Sequence, residues 1–149
     1  MESNVKSSAL VMRVMKYAFV MSAFLFIYVA ITIPVQLPGH VGQPVEIAIT
    51  LVALGCVSGG FVLPRIVCQA AAERAPQSNL AQAQLGLWMT KGILSLALFE
   101  ACILFGFALH YLGGRVWLVE LLFGAGIAAE LFWSPGEPPN AESGEFPQS

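Results

Sequence analysis

Charge is what this sequence has least of. Asp, Glu, Lys and Arg together make up 11% of its 149 residues, and none of them is Asp. A water-soluble domain carries roughly 25% charged residues. Seven Lys and Arg with nine Glu are too few to cover a globule of this size, so lipid rather than water is the expected main solvent. A basic surplus is missing too. The net charge of −2 leaves no broad cationic surface for nucleic acid, so no nucleic-acid partner is expected. Disorder of most of the chain is excluded, because that state needs few apolar residues and much charge. Clustered cysteines are absent. Cys56, Cys68 and Cys102 form no CxxC pair and are odd in number, which argues against a disulfide framework or a zinc site. They read as small apolar packing residues. No Walker loop, HExxH, GxSxG or Ser-His-Asp set occurs. No catalytic residue, metal or cofactor is therefore expected, and the chain reads as a non-enzyme.

What is present is apolar. Hydrophobic residues make up 57% and the mean hydropathy is +0.75. A helix needs about 20 apolar residues to cross a bilayer, with roughly 17 as the lower limit. Four stretches meet or approach that length: about 15–33, 47–63, 92–112 and 116–133. In lipid each must satisfy its own backbone groups, so each is expected to be a helix. The expected fold is an all-α four-helix transmembrane bundle, up-down-up-down, over residues 1–133. Residues 134–149, acidic and Pro-rich with no basic residue, are expected to be a disordered tail.

The breaks between spans are marked. Pro34, Pro38, Gly39, Gly42 and Pro44 separate the first two spans. Pro64 is expected to close span two, with a helix-favouring stretch carrying the chain on from Cys68. Ser78 or Asn79 can cap a helix starting near Leu80. Gly113-Gly114 allows only a tight turn, which makes spans three and four antiparallel neighbours. The first run has no A-x-A-like cleavage site after it, so it reads as an uncleaved helix.

Lys and Arg placement sets the expected orientation. Lys6, Arg13, Lys16, Arg65, Arg74 and Lys91 fall on one side, and Arg115 alone on the other. Both termini are expected in the cytoplasm, with the chain in a bacterial-type inner membrane. Aromatic residues mark the same boundaries: Tyr17, Trp88 and Trp133 on the inner side, Tyr111 and Trp117 on the outer.

The charges inside the spans carry the functional signal. Glu100 lies near the middle of span three, where a bare charge costs at least ~2.5 kcal/mol. It must be protonated, paired or turned from lipid. A shared proton, or the hydroxyl of Ser22, Ser58 or Ser95, could satisfy it. Glu130 of span four lies about one turn closer to the cytoplasm. Glu100 and Glu130 are thus candidate proton- or cation-binding residues. Glu120 and Glu130 also sit near span ends, where long side chains reach water and Lys91 could pair with Glu130. Gly55, Gly59, Ala97, Ala101, Gly124 and Gly126 are candidate helix-packing positions, because small residues allow close approach. His40 and His110 share the outer boundary, a weak hint of a haem or pigment site.

Span three reads Leu94-Ser95-Leu96-Ala97-Leu98-Phe99-Glu100-Ala101-Cys102-Ile103-Leu104-Phe105-Gly106. This resembles the carboxylate-bearing helix of rotary ATP synthase proteolipids (subunit c), whose ALxE pattern is followed by a Gly some six residues on. The resemblance implies that Glu100 carries an ion. Arg74-Ala75-Pro76-Gln77 is similar to the polar loop of that family. The whole layout also resembles uncharacterised bacterial four-helix membrane proteins with a Glu in the third helix and a Pro after the fourth. The expected role is a non-enzymatic subunit or helix-packing partner in a membrane complex, with the bilayer and other protein chains or further copies as partners. The alternative is a proton or cation carrier working through Glu100.

Overall fold

The structure is a computed structural model and describes residues 2–33, 41–72 and 80–138. Four helices account for nearly all of them: α1 Glu2–Thr32, α2 Gln43–Ala72, α3 Leu80–Tyr111 and α4 Val116–Phe132. No strand occurs among the described residues, and the fold is all-α. The stretches 5–32, 43–71 and 82–111 are long and apolar enough to cross a membrane. Helix α4 has 17 residues, or about 25 Å at 1.5 Å per residue. The loop with Pro34, Pro38 and His40, the caps Ser78 and Asn79, and the tail beyond Pro138 lie outside the described residues.

Helix α3 is the axis of the bundle. It packs against all three others, while α1 and α2 make no close backbone approach to each other. Helix α1 runs parallel to α3. Met12 meets Gly92, Ser22 meets Glu100, Phe26 meets Phe107, and the Tyr111 hydroxyl donates to Val29 O. Helix α2 runs the other way, since Cys68 lies at Leu87 and Gly60 at Ser95. So does α4, which sets Gly126 against Ile103 and Gly106 against Leu122. The bundle thus has one end marked by Lys16 and the C-terminus of α4, and another marked by Arg115.

The turn from α3 to α4 shows why two glycines stand there. Gly113 has φ +75°, a left-handed conformation that closes helices at low cost only without a Cβ. Its N–H donates to His110 O at 3.1 Å, and the Gly114 N–H to Leu109 O at 2.9 Å. This Schellman pairing satisfies two carbonyls that a helix end leaves over. A Cβ on Gly114 would lie 2.9 Å from Leu109 O.

Pro64 does not end α2. The helix runs through it to Ala72, and Pro64 is buried. A proline has no N–H for the carbonyl four residues back, here that of Gly60. Ser95 of α3 donates its hydroxyl to that carbonyl at 2.8 Å. A neighbouring helix supplies the hydrogen bond that Pro64 cannot, which is how lipid-embedded helices tolerate proline.

Outward-facing side chains are strongly apolar. Leu10, Val14, Met21, Phe24 and Ile31 of α1 are exposed, as are Leu51, Val62 and Ile66 of α2 and Val116 and Phe132 of α4. In water such a surface would associate; in lipid it is the ordinary exterior. Of the expected boundary aromatics, Tyr17 and Trp117 point outward. Trp133 turns inward and meets the Phe99 ring edge-on at 6.4 Å. Trp88 donates its indole N–H to Pro135 O at 3.1 Å.

A candidate carboxyl site inside the bundle

Three helices converge at Glu100. Phe99 on one side and Cys102 and Ile103 on the other are fully buried, which fixes the rotation of α3. Glu100 then points between α1 and α4 with 9% exposure. From α1, Ser22 donates its hydroxyl to Glu100 Oε1 at 2.6 Å. From α4 comes Glu130, with no exposure at all. Its carboxyl is near enough to Glu100 for the two groups to act on each other, with no hydrogen bond formed between them. Helix α4 comes this close because Gly126, one turn earlier, has no side chain. A Cβ there would strike Ile103 and come within 3.2 Å of Phe99 O.

The hydrogen bonding is incomplete. Glu100 Oε2 and both oxygens of Glu130 are buried and receive no hydrogen bond from the described residues. Ionised carboxylates only accept hydrogen bonds, so two can bond to each other only with a proton between them. Buried polar atoms without partners cost about 1–3 kcal/mol each. Glu130 is thus not a solvated charge at a helix end. Glu120, nearly three turns earlier, is exposed.

Below the pair, Lys16 of α1 donates to Leu131 O at 3.1 Å and to Trp133 O at 2.7 Å. It neutralises the last carbonyls of α4, where a cation is favoured. Lys16 also acts electrostatically on Glu130, and Lys91 makes no ion pair with it. The other suggested hydroxyls are used elsewhere. Ser58 bonds its own Leu54 O, and Ser95 serves Gly60.

The far end has its own carboxylate. Glu46, in the first turn of α2, is buried. Its Oε1 accepts the Arg115 backbone N–H at 2.9 Å, and its Oε2 pairs with Arg115 Nε at 3.2 Å. Arg115 is the N-cap residue of α4 and has no cap of its own, so Glu46 supplies an acceptor from another helix. Reading the sequence missed it. The available signal was a lone acid and a lone base flanking spans at one end.

The small residues divide. Gly59 lies against Leu63 and Leu98, and Gly126 against Ile103. Ala101 is half-buried. Gly55 and Gly124 have nothing within 4 Å of an added Cβ, and Ala97 is exposed. The structure brings none of these last three into a helix contact. Close approach falls instead on Gly60, which carries Phe99, on Gly92, which carries Met12, and on Gly106 against α4. His110 stacks edge-on with Tyr111, and its Nε2 is buried without a partner among the described residues. The described residues contain no group of three or more His, Cys, Asp or Glu that could hold a metal. All three cysteines are free thiols.

No family model, curated protein or solved structure matches this chain.

Proposed function

We propose that this chain is a small polytopic, non-enzymatic membrane protein that holds an exchangeable proton on the Glu100–Glu130 pair. It works within a membrane complex, as a subunit or partner of other chains or further copies. Helix α4 is the fourth span, and the Lys16 end faces the cytoplasm, as six of the seven basic residues favour. The observation that carries the reading is the pair itself. Two buried carboxyls stand near each other inside an apolar bundle, and three of their four oxygens lack a donor among the described residues. Ionisable groups at membrane depth mark proton and ion paths.

The donor set favours a proton over a metal cation. Ca²⁺ takes about six to eight oxygens and Mg²⁺ a near-ideal octahedron. Here the two carboxyls and the Ser22 hydroxyl give five side-chain oxygens at most, and that hydroxyl is already donating. The resemblance of α3 to the proteolipid carboxylate helix points the same way.

A second reading has its own support. The Ser22–Glu100 bond ties α1 to α3, so Glu100 could serve only as a polar anchor for packing. A membrane-permeant carbodiimide separates the two, because it modifies protonated carboxyls in apolar surroundings. Proton holding predicts labelling of Glu100 or Glu130 in the intact protein, lost in the double variant Glu100→Gln, Glu130→Gln. An unlabelled pair, in protein shown to be folded, overturns the proposal and leaves the anchor.

A further inference from the structure

The carboxyl pair is unequally placed between the two ends of the bundle. Towards the Arg115 end, Ile103, Leu109, Val119, Leu122 and Phe123 form one buried apolar cluster. Its one polar side chain is the Cys102 thiol, which is already committed to Leu122 O at 3.5 Å. Towards the other end, Glu130 is three residues from Trp133, about 4.5 Å along the axis. There Lys16 places two of its three N–H donors on Leu131 O and Trp133 O. The first of these carbonyls belongs to the residue directly after Glu130. The ammonium is also near enough to act on the Glu130 charge. Glu100 from α3 and Lys16 from α1 are the charged groups that act on Glu130.

We infer that protons reach and leave the Glu100–Glu130 pair from the Lys16 end alone, and that Lys16 draws the proton out by turning from the terminal carbonyls of α4 onto the Glu130 carboxylate. This rests on the reading of the pair as a proton site. On release the Glu130 O–H bond breaks, its electrons stay on the carboxylate, and the proton passes to water at the Lys16 end. Lys16 keeps its three protons and exchanges a carbonyl acceptor for the new carboxylate. Uptake is the reverse: a proton from water returns to Glu130 and Lys16 goes back to capping α4. Lys16 is thus a positioning residue for the exchange. A basic residue that only capped α4 would hold the helix end closed, so that its loss would speed the exchange or leave it unchanged.

The test uses the full chain in sealed vesicles of known sidedness. The first readout is the rate at which the protonated-carboxyl infrared band shifts on transfer to D₂O. Lys16→Met is expected to slow it about tenfold, the factor an opposite charge at close range can set. Lys16→Arg is expected to stay near the wild-type rate. Unchanged or faster exchange in Lys16→Met overturns the inference, since loss of a mere cap loosens the helix end. The second readout is labelling by a water-soluble, impermeant carbodiimide. It is expected to reach Glu130 from the Lys16 face and not from the Arg115 face. Equal labelling from both faces overturns the route while the permeant reagent still labels the pair. No labelling by the permeant reagent overturns the proton site and the route with it.

Discussion

The Ser95 hydroxyl sits 2.8 Å from Gly60 O, the one carbonyl of α2 that Pro64 leaves without its N–H. Removing the hydroxyl should therefore cost more beside Pro64 than without it. Ser95→Ala strands a buried carbonyl, with an expected loss of about 1–2 kcal/mol. Pro64→Ala restores the N–H, so the same Ser95→Ala change should cost clearly less in that background. Unfolding in detergent of the four proteins of this cycle checks it. Equal costs in both backgrounds would break the link between Ser95 and Pro64.

Glu46→Ala should loosen the Arg115 end. It removes the acceptor for the Arg115 N–H and the partner of its guanidinium together. Losing an N-terminal cap costs about 0.5–2 kcal/mol. Glu46→Gln keeps an acceptor for the N–H and should lose less. Hydrogen exchange at the first turn of α4 reads this directly, with faster exchange expected in Glu46→Ala.

The two glycines of Gly124-Ala125-Gly126 should behave oppositely. Gly124→Ala meets open space and gains helix propensity, so stability should hold or rise by up to about 1 kcal/mol. Gly126→Leu drives side-chain atoms into Ile103 and towards Phe99 O, at a cost of about 1–3 kcal/mol from overpacking. Thermal unfolding in one detergent compares them, and a Gly126→Leu variant as stable as Gly124→Ala would contradict the α3–α4 contact.

Much of the fold could be read from the residues, because the bilayer leaves few alternatives. Four apolar runs can only be helices, and Gly113-Gly114 can only be a tight turn. Mid-depth Glu100 and its need for a partner such as Ser22 were legible for the same reason. Rotation was not. A helix apolar on every side carries no amphipathic signal to say which face packs. That is why composition alone does not separate Gly55, Ala97 and Gly124, which face outward, from Gly59 and Gly126. Glu130 was ambiguous because a carboxyl one turn from a boundary can turn either way. Trp133 folding inward and Lys16 covering the helix end decide it. Pro64 read as a stop because the hydroxyl that compensates it is 35 positions from Gly60.

Glu100→Gln should separate holding the bundle from holding a proton. Its amide oxygen still accepts from Ser22, and its N–H groups offer Glu130 the donor that it lacks. Stability in detergent should match or exceed the wild type. Glu100→Leu strands both the Ser22 hydroxyl and Glu130 and should lose about 1–3 kcal/mol. A Gln variant as weak as the Leu variant would mean that amide and carboxyl are not equivalent as anchors.

Infrared spectroscopy of the intact protein in lipid, with ¹³C-carboxyl glutamate, tests the central claim most directly. A protonated-carboxyl stretch should be present at neutral pH, shift in D₂O, and vanish in the Glu100→Gln, Glu130→Gln double variant. No such band in the folded wild type, or a band that persists unchanged in the double variant, would contradict a proton held between these two side chains.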